Sequence, residues 1–202
     1  MLRPGLRTLD AGCGSGILSL AFREASLRRG FAPGAMNAFD ITPAMLDRFR
    51  EKISKGSRDP DSSRSARNDS KRSAWNDSND GVELAQCDVL HLEELPDSWS
   101  NYELIISASM MEYLPRDKFS GVLRALRARL RQDGTLVLFI TRRNGLMRPL
   151  IGRWWQSNLY TADELRAAFT DAGFARFPFP YSYLNLWGYI VEASRRTHFD
   201  TR

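Results

Sequence analysis

The residues best placed to do chemistry form one run near the start of the chain, Leu9-Asp10-Ala11-Gly12-Cys13-Gly14-Ser15-Gly16. A strand-like stretch, Leu6 to Leu9, leads into it, and an apolar, helix-like stretch, Ile17 to Arg29, leads out. Strand, glycine turn and helix in that order make a seat for a small ligand at the carboxyl end of a parallel strand. Glycine permits backbone angles and close approaches that a Cβ forbids. The amides of a helix's first turn have no helical partner, so they attract ligand oxygens or a carboxylate. The spacing is not the G-x-G-x-x-G of a dinucleotide site: the glycines alternate at 12, 14 and 16, and an acid, Asp10, lies within the motif.

The elements that must position this turn can be read in order. Gly34 to Asp40 reads as a second strand ending in an acid, and in a nucleotide-binding α/β unit such an acid accepts hydrogen bonds from ribose hydroxyls. Thr42-Pro43 looks like a cap and first-turn proline, so Asp40 also stands where an acid caps a helix. That helix runs to about Lys52, with Ala44, Met45, Phe49 and Ile53 spaced as one face. Ser54 to Gly81 is rich in serine, asparagine and mixed charge, with Trp75 its only large apolar residue, and is expected to be a mobile insertion.

Val82 to Cys87 is a third strand, followed by Asp88-Val89-Leu90 and His91. A fourth, Glu103 to Ser109, continues into Met110-Met111-Glu112-Tyr113-Leu114. Arg116 to Arg131 is an amphipathic helix with Phe119, Val122, Leu123, Leu126 and Leu130 inward, ended by Asp133-Gly134. Thr135 to Thr141 is a buried fifth strand. Arginines and aromatics follow through Arg148, Arg153, Trp154, Trp155 and Tyr160, and Thr161-Ala162-Asp163-Glu164 starts a last helix with a capping pattern. Ala175 to Tyr183 and Leu186 to Ala193 read as a final antiparallel pair. The alternation predicts an α/β, Rossmann-like, doubly wound sheet of seven strands, mostly parallel with an antiparallel strand near one edge.

The run Asp10-x-Gly12-x-Gly14-x-Gly16 resembles motif I of the class I S-adenosylmethionine (SAM)-dependent methyltransferases. Asp88 matches the acid with which that family holds the adenine amino group, and Val89 supplies the amide facing the ring. The fourth strand with its continuation Met110-Met111-Glu112-Tyr113-Leu114 resembles the acid, strand and S-x-x-L-E-H-L motif of its small-molecule, ubiquinone-biosynthesis-like group, with Tyr113 in place of histidine. The resemblance implies SAM as cofactor, S-adenosylhomocysteine as product, and one domain over residues 1–202 with the insertion at 54–81 and little N-terminal cap. It places Asp10, Ala11, Gly12, Cys13, Gly14, Gly16, Asp40, Ile41, Met45, Asp88, Val89, Ser107, Ala108 and Ser109 around the cofactor. Its fold usually carries helices before the first strand, so the handful of residues here implies a more open site.

Methyl transfer from a sulfonium is largely a matter of placing a nucleophile in line with it, and an oxygen or nitrogen acceptor also loses a proton. Tyr113, Glu112 and His91 are the candidates to receive that proton. The expected acceptor is a small molecule, aromatic or lipid-like, with Trp154, Trp155, Tyr160, Tyr181, Tyr183 and Trp187 as candidates for an aromatic wall. The alternatives are a SAM-binding protein of this fold that has lost catalysis, or an RNA methyltransferase.

Composition narrows the rest. With 202 residues, 43% hydrophobic, the chain suits one soluble domain. A net charge of +5 is a small excess, and no basic stripe interleaved with aromatics is found across the cofactor face, which argues against nucleic acid. The N-P-P-Y or D-P-P-Y motif of N6-adenine methyltransferases is absent from the end of the fourth strand, which argues against base methylation in DNA. No apolar run is long enough to span a bilayer, leaving peripheral contact through Leu146 to Tyr160 as the membrane option. Cys13 and Cys87 read as free thiols without metal-ligand spacing, so no metal is expected, and no signal sequence opens the chain, so residence is expected to be cytoplasmic.

Overall fold

The computed structural model describes residues 3–56, 81–141, 158–178 and 188–195. The elements are β1 (Thr8–Ala11), α1 (Ile17–Arg28), β2 (Met36–Asp40), α2 (Pro43–Gly56), β3 (Val82–Gln86), β4 (Tyr102–Ala108), α3 (Phe119–Arg129), β5 (Leu130–Thr141), α4 (Ala162–Asp171) and β6 (Gly188–Ser194). Six strands form one sheet in the order β3-β2-β1-β4-β5-β6. All neighbours are parallel except β6, which runs antiparallel to β5. The chain order reverses between β1 and β4, so the carboxyl ends of the strands flank a crevice there.

Six strands are described where seven were expected. Arg176 and Ser194 form an isolated antiparallel bridge, and the Glu192 amide donates to the Pro178 carbonyl. Pro178 has no amide to return, which interrupts the ladder. Residues 179–187, with Tyr181, Tyr183 and Trp187, lie outside the described residues, as do 57–80 of the expected insertion and 142–157 with Trp154 and Trp155.

Three boundaries differ from expectation for physical reasons. β1 reaches Ala11, because Asp10 and Ala11 pair with β2 and Asp10 also with β4. α3 begins at Phe119 after a 3-10 turn at Arg116–Lys118 and ends at Arg129, since Leu130 is already extended and pairs with Tyr102. Asp133-Gly134 therefore sits inside a register shift of β5 and does not end the helix. A Cβ on Gly134 would lie 2.6 Å from the Tyr102 carbonyl oxygen. On α2 the buried positions are Leu46 and Phe49, whereas Ala44 is exposed.

The two faces of the sheet are unequal. On one, Leu9, Phe39, Ile105, Leu136, Leu138 and Val191 pack against Phe119, Val122, Leu123 and Leu126 of α3 and Leu165 and Phe169 of α4. The inward face of α3 is the one its sequence predicted. α4 starts with a complete capping box: Glu164 N–H donates to Thr161 Oγ1 (3.2 Å) and Thr161 N–H to Glu164 Oε2 (2.7 Å). The other face carries two smaller clusters, one with Leu18 and Phe22 of α1 and one with Leu46 and Phe49 of α2.

Candidate functional site at the carboxyl edge

The glycine turn is built from backbone up. Gly12, Gly14 and Gly16 have φ of +73°, +52° and +75°, the left-handed region that other residues avoid. Gly12 and Cys13 both donate their amides to the Phe39 carbonyl at 2.9 Å, locking the turn to the end of β2. Two of the glycines are also required by neighbours: a Cβ on Gly12 would meet the Met110 side chain at 2.5 Å, and one on Gly16 the Phe49 ring at 2.1 Å. Around a Cβ placed on Gly14 nothing lies within 4 Å among the described residues, which leave its open side free.

Asp40 joins this turn to α2. Its Oδ2 accepts the Gly14 amide and its Oδ1 the Thr42 amide, each at 2.8 Å. A carboxylate has about four lone-pair positions. With each oxygen holding one amide, both can still accept a hydroxyl. Asp10, by contrast, is buried at the end of β1 and takes the hydroxyl of Ser19 on α1. Burial raises its pKa to about 6 against the relief given by Ser19, and the Asp40 charge adds to the rise. Asp10 thus organises the start of α1 from inside and does not face an incoming molecule. Sequence reasoning missed Lys52, whose ammonium donates to the carbonyl and hydroxyl oxygens of Ser15, both at 2.9 Å. No sequence pattern marks that contact across 37 positions.

After β3, Asp88 Oδ1 accepts the Leu90 amide (2.9 Å) and caps the 3-10 turn Val89–Glu94. His91 on that turn is exposed and bonded to Glu93 (3.1 Å), an interaction that raises its pKa. After β4, Ser107 is fully buried in the sheet, and its hydroxyl has no partner among the described residues. Ala108 is partly exposed, and Ser109 takes a left-handed φ of +54° while its amide donates to Phe139. Tyr113 is 53% exposed, and desolvation followed by the Glu112 charge raises its pKa, so it stays a phenol at neutral pH. Glu112 is only 4% exposed. The three proton-acceptor candidates therefore differ sharply in access.

The large hydrophobic side chains exposed among the described residues are Ile17 (72%), Ile41 (59%), Leu90 and Tyr113. They follow β1, β2, β3 and β4 respectively, so every one stands at the carboxyl edge. A cleft of about 210 Å³ opens at the same edge, between Ser109 after β4, Phe139 and Thr141 of β5, and Gly188, Tyr189 and Ile190 of β6.

A model of the family described as "Methyltransferase domain" matches residues 2–176. The chain belongs to that family. The methyltransferase expectation raised by the Asp10 to Gly16 run holds. The fold agrees with solved methyltransferases. Magnesium protoporphyrin IX methyltransferase (ChlM) from Synechocystis PCC 6803, with bound SAM, aligns at TM-score 0.62 and 18% identity, covering 96% of this chain and 71% of that one. The 1,6-didemethyltoxoflavin-N1-methyltransferase of Burkholderia thailandensis, with its acceptor and S-adenosylhomocysteine, aligns at 0.62 and 17%, covering 96% and 72%. Mitomycin 7-O-methyltransferase MmcR aligns at 0.66 and 16%, covering 95% and 49%. The ubiquinone-biosynthesis-like group is not singled out by these matches. No curated protein matches the sequence. Among the described residues of this methyltransferase no helix is long and apolar enough to cross a membrane, and no three His, Cys, Asp or Glu side chains gather as a metal site.

Proposed function

We propose that this methyltransferase transfers a methyl group from SAM to a small molecule at the carboxyl edge between β1 and β4, with the donor held by the turn Ala11–Gly16, Asp40, Ile41, Met45, Asp88, Val89 and Ser107–Ser109, and with the buried Asp10 supporting that turn from inside. The observation that carries this reading is the convergence of the exposed apolar residues Ile17, Ile41, Leu90 and Tyr113 on the edge where Gly14 leaves open space. A nucleoside offers an apolar ring face and polar hydroxyls, which suits Ile41 and Leu90 beside the free lone pairs of Asp40. Bound SAM supplies an activated methyl on a positive sulfur. The protein's own part is to orient the acceptor and exclude water.

The cleft beside Ser109 is the acceptor's seat in this reading. Phe139, Tyr189 and Ile190 favour a flat apolar body, and the Ser109 and Thr141 hydroxyls favour one polar group upon it. Of the three candidates Tyr113 is exposed at this edge, whereas Glu112 is buried and His91 is bonded to Glu93; as a phenol at neutral pH Tyr113 orients an acceptor by hydrogen bonding and does not take its proton. Two buried free thiols support cytoplasmic residence. The packing of the described elements on one sheet supports a single domain.

Calorimetric titration with SAM, S-adenosylhomocysteine and NAD tests the donor site. Micromolar-range binding of the first two and none of NAD is expected, and failure of both to bind would overturn the site. Saturation with S-adenosylhomocysteine then allows planar aromatic and acyl-chain acceptors to be compared by thermal shift.

A further inference from the structure

We propose that Glu112 is a positioning residue: by accepting the Thr141 amide, its buried carboxylate fixes the Met110–Tyr113 turn against the glycine turn and so shapes the donor site. The inference rests on the donor-site reading above and adds a part that the motif does not assign. Glu112 Oε2 accepts Thr141 N–H at 2.8 Å, tying the turn after β4 to the last residue of β5. Its main-chain oxygen accepts Asn158 N–H at 2.6 Å, and Asn158 Nδ2 donates to the Leu114 oxygen at 2.6 Å. The described residues on either side of 142–157 thus both bond to Glu112. Three segments that are far apart in the chain, at Glu112–Leu114, Thr141 and Asn158, meet in one polar knot.

The knot reaches the donor through Met110. That side chain lies over Gly12, so closely that a Cβ there would sit 2.5 Å from Met110 Cγ. The Tyr113 amide donates to the Met110 carbonyl (3.0 Å), closing the turn, and its side chain emerges on the site's surface. A shift of Glu112 moves Met110 at one end of the turn and Tyr113 at the other. Burial is what makes the arrangement dependent on one bond. A carboxylate away from water needs its hydrogen-bond partners, and a strand-end amide left without an acceptor is costly.

Because a glutamine oxygen accepts from the same amide, charge is dispensable for this role and the acceptor atom is not. Glu112→Gln and Glu112→Ala, each titrated with S-adenosylhomocysteine and melted without ligand, separate the cases. Expected is affinity within about threefold of wild type for Glu112→Gln and a loss of about tenfold or more for Glu112→Ala. Equal losses in the two folded variants, or wild-type affinity in folded Glu112→Ala, would overturn the inference. If Glu112→Ala does not fold, Met110→Ala replaces it. It should weaken binding with little change in melting temperature, and unchanged binding there would be equally fatal. Absence of binding by the wild-type protein would instead refute the donor site itself.

Discussion

The two edges of the sheet carry hollows of opposite character. At the amino edge a hollow of about 290 Å³ lies among Arg7, Met36, Asn37, Glu83, Ser98 and Trp99, larger than the 210 Å³ cleft at the carboxyl edge. Yet its polar groups are spent on each other. Tyr102 Oη donates to Asn37 Oδ1 (2.9 Å), Asn37 Nδ2 to Glu83 Oε2 (2.7 Å) and Trp99 Nε1 to the same oxygen (3.2 Å). Arg7 sits 5.1 Å from the Tyr102 ring centroid and donates to the Ser98 and Ser100 carbonyls. At the carboxyl edge Asp40 keeps spare lone pairs, Gly14 faces open space, and apolar side chains stand in water. The proposed site is marked not by size but by unspent bonding capacity.

The sharpest way to break this contrast is Gly14→Val. The added side chain enters the open space and opposes a left-handed φ, so S-adenosylhomocysteine binding should disappear in calorimetry while the far-ultraviolet spectrum stays folded. Retained affinity would mean the ligand sits elsewhere. Asp10 gives the next largest effect, through pH. Its folded pKa of about 6 lies above the ordinary 3.8, so the folded state holds its proton longer than the unfolded chain does. Its contribution is therefore most favourable below pH 4 and is lost as pH rises through 6, a cost on the order of 3 kcal/mol. Asp10→Asn removes that dependence, and its urea-derived stability relative to wild type should climb between pH 4 and 6.5. Parallel curves would show that Asp10 is not the group responsible.

Asp40→Ala should weaken S-adenosylhomocysteine binding by about ten- to a hundredfold, since the ribose acceptors and the anchor of the Gly14 amide go together. Tyr102→Phe tests the other edge. It should cost about 1–3 kcal/mol in urea unfolding by orphaning Asn37, and leave ligand affinity at the wild-type value. An affinity loss from Tyr102→Phe would blur the division between the edges. The smallest effect belongs to His91→Ala, because an exposed ring bonded to Glu93 should change neither melting temperature nor binding.

Much of the carboxyl edge was legible in sequence because its signals are local. Glycines at 12, 14 and 16 record backbone angles, and an acid ending β2 records a strand end, each within a few residues. The capping box at Thr161 and the inward face of α3 are equally local. What sequence hid are bonds between distant side chains and main-chain groups. Glu112 to Thr141 spans 29 positions and Asn37 to Tyr102 spans 65, and a backbone amide looks the same at every residue. The start of β5 was missed because Leu130 was counted with the apolar face of the preceding helix. Its pairing with Tyr102 overrode that local preference. Net positive charge was equally opaque, since Arg116 in the turn before α3 pairs with Glu164, and Arg124 of α3 with Asp171, both partners lying on α4.

Asp40 holds the glycine turn through Gly14 and the start of α2 through Thr42 with the two oxygens of one side chain. Filling the pocket therefore reaches α2 through that carboxylate as well as through Met45. Whatever tightens around that carboxylate also damps the fraying of α2's first turn, so amide deuterium uptake at 44–46 becomes a built-in reporter of occupancy. A helix terminus, in other words, doubles as the meter for the pocket.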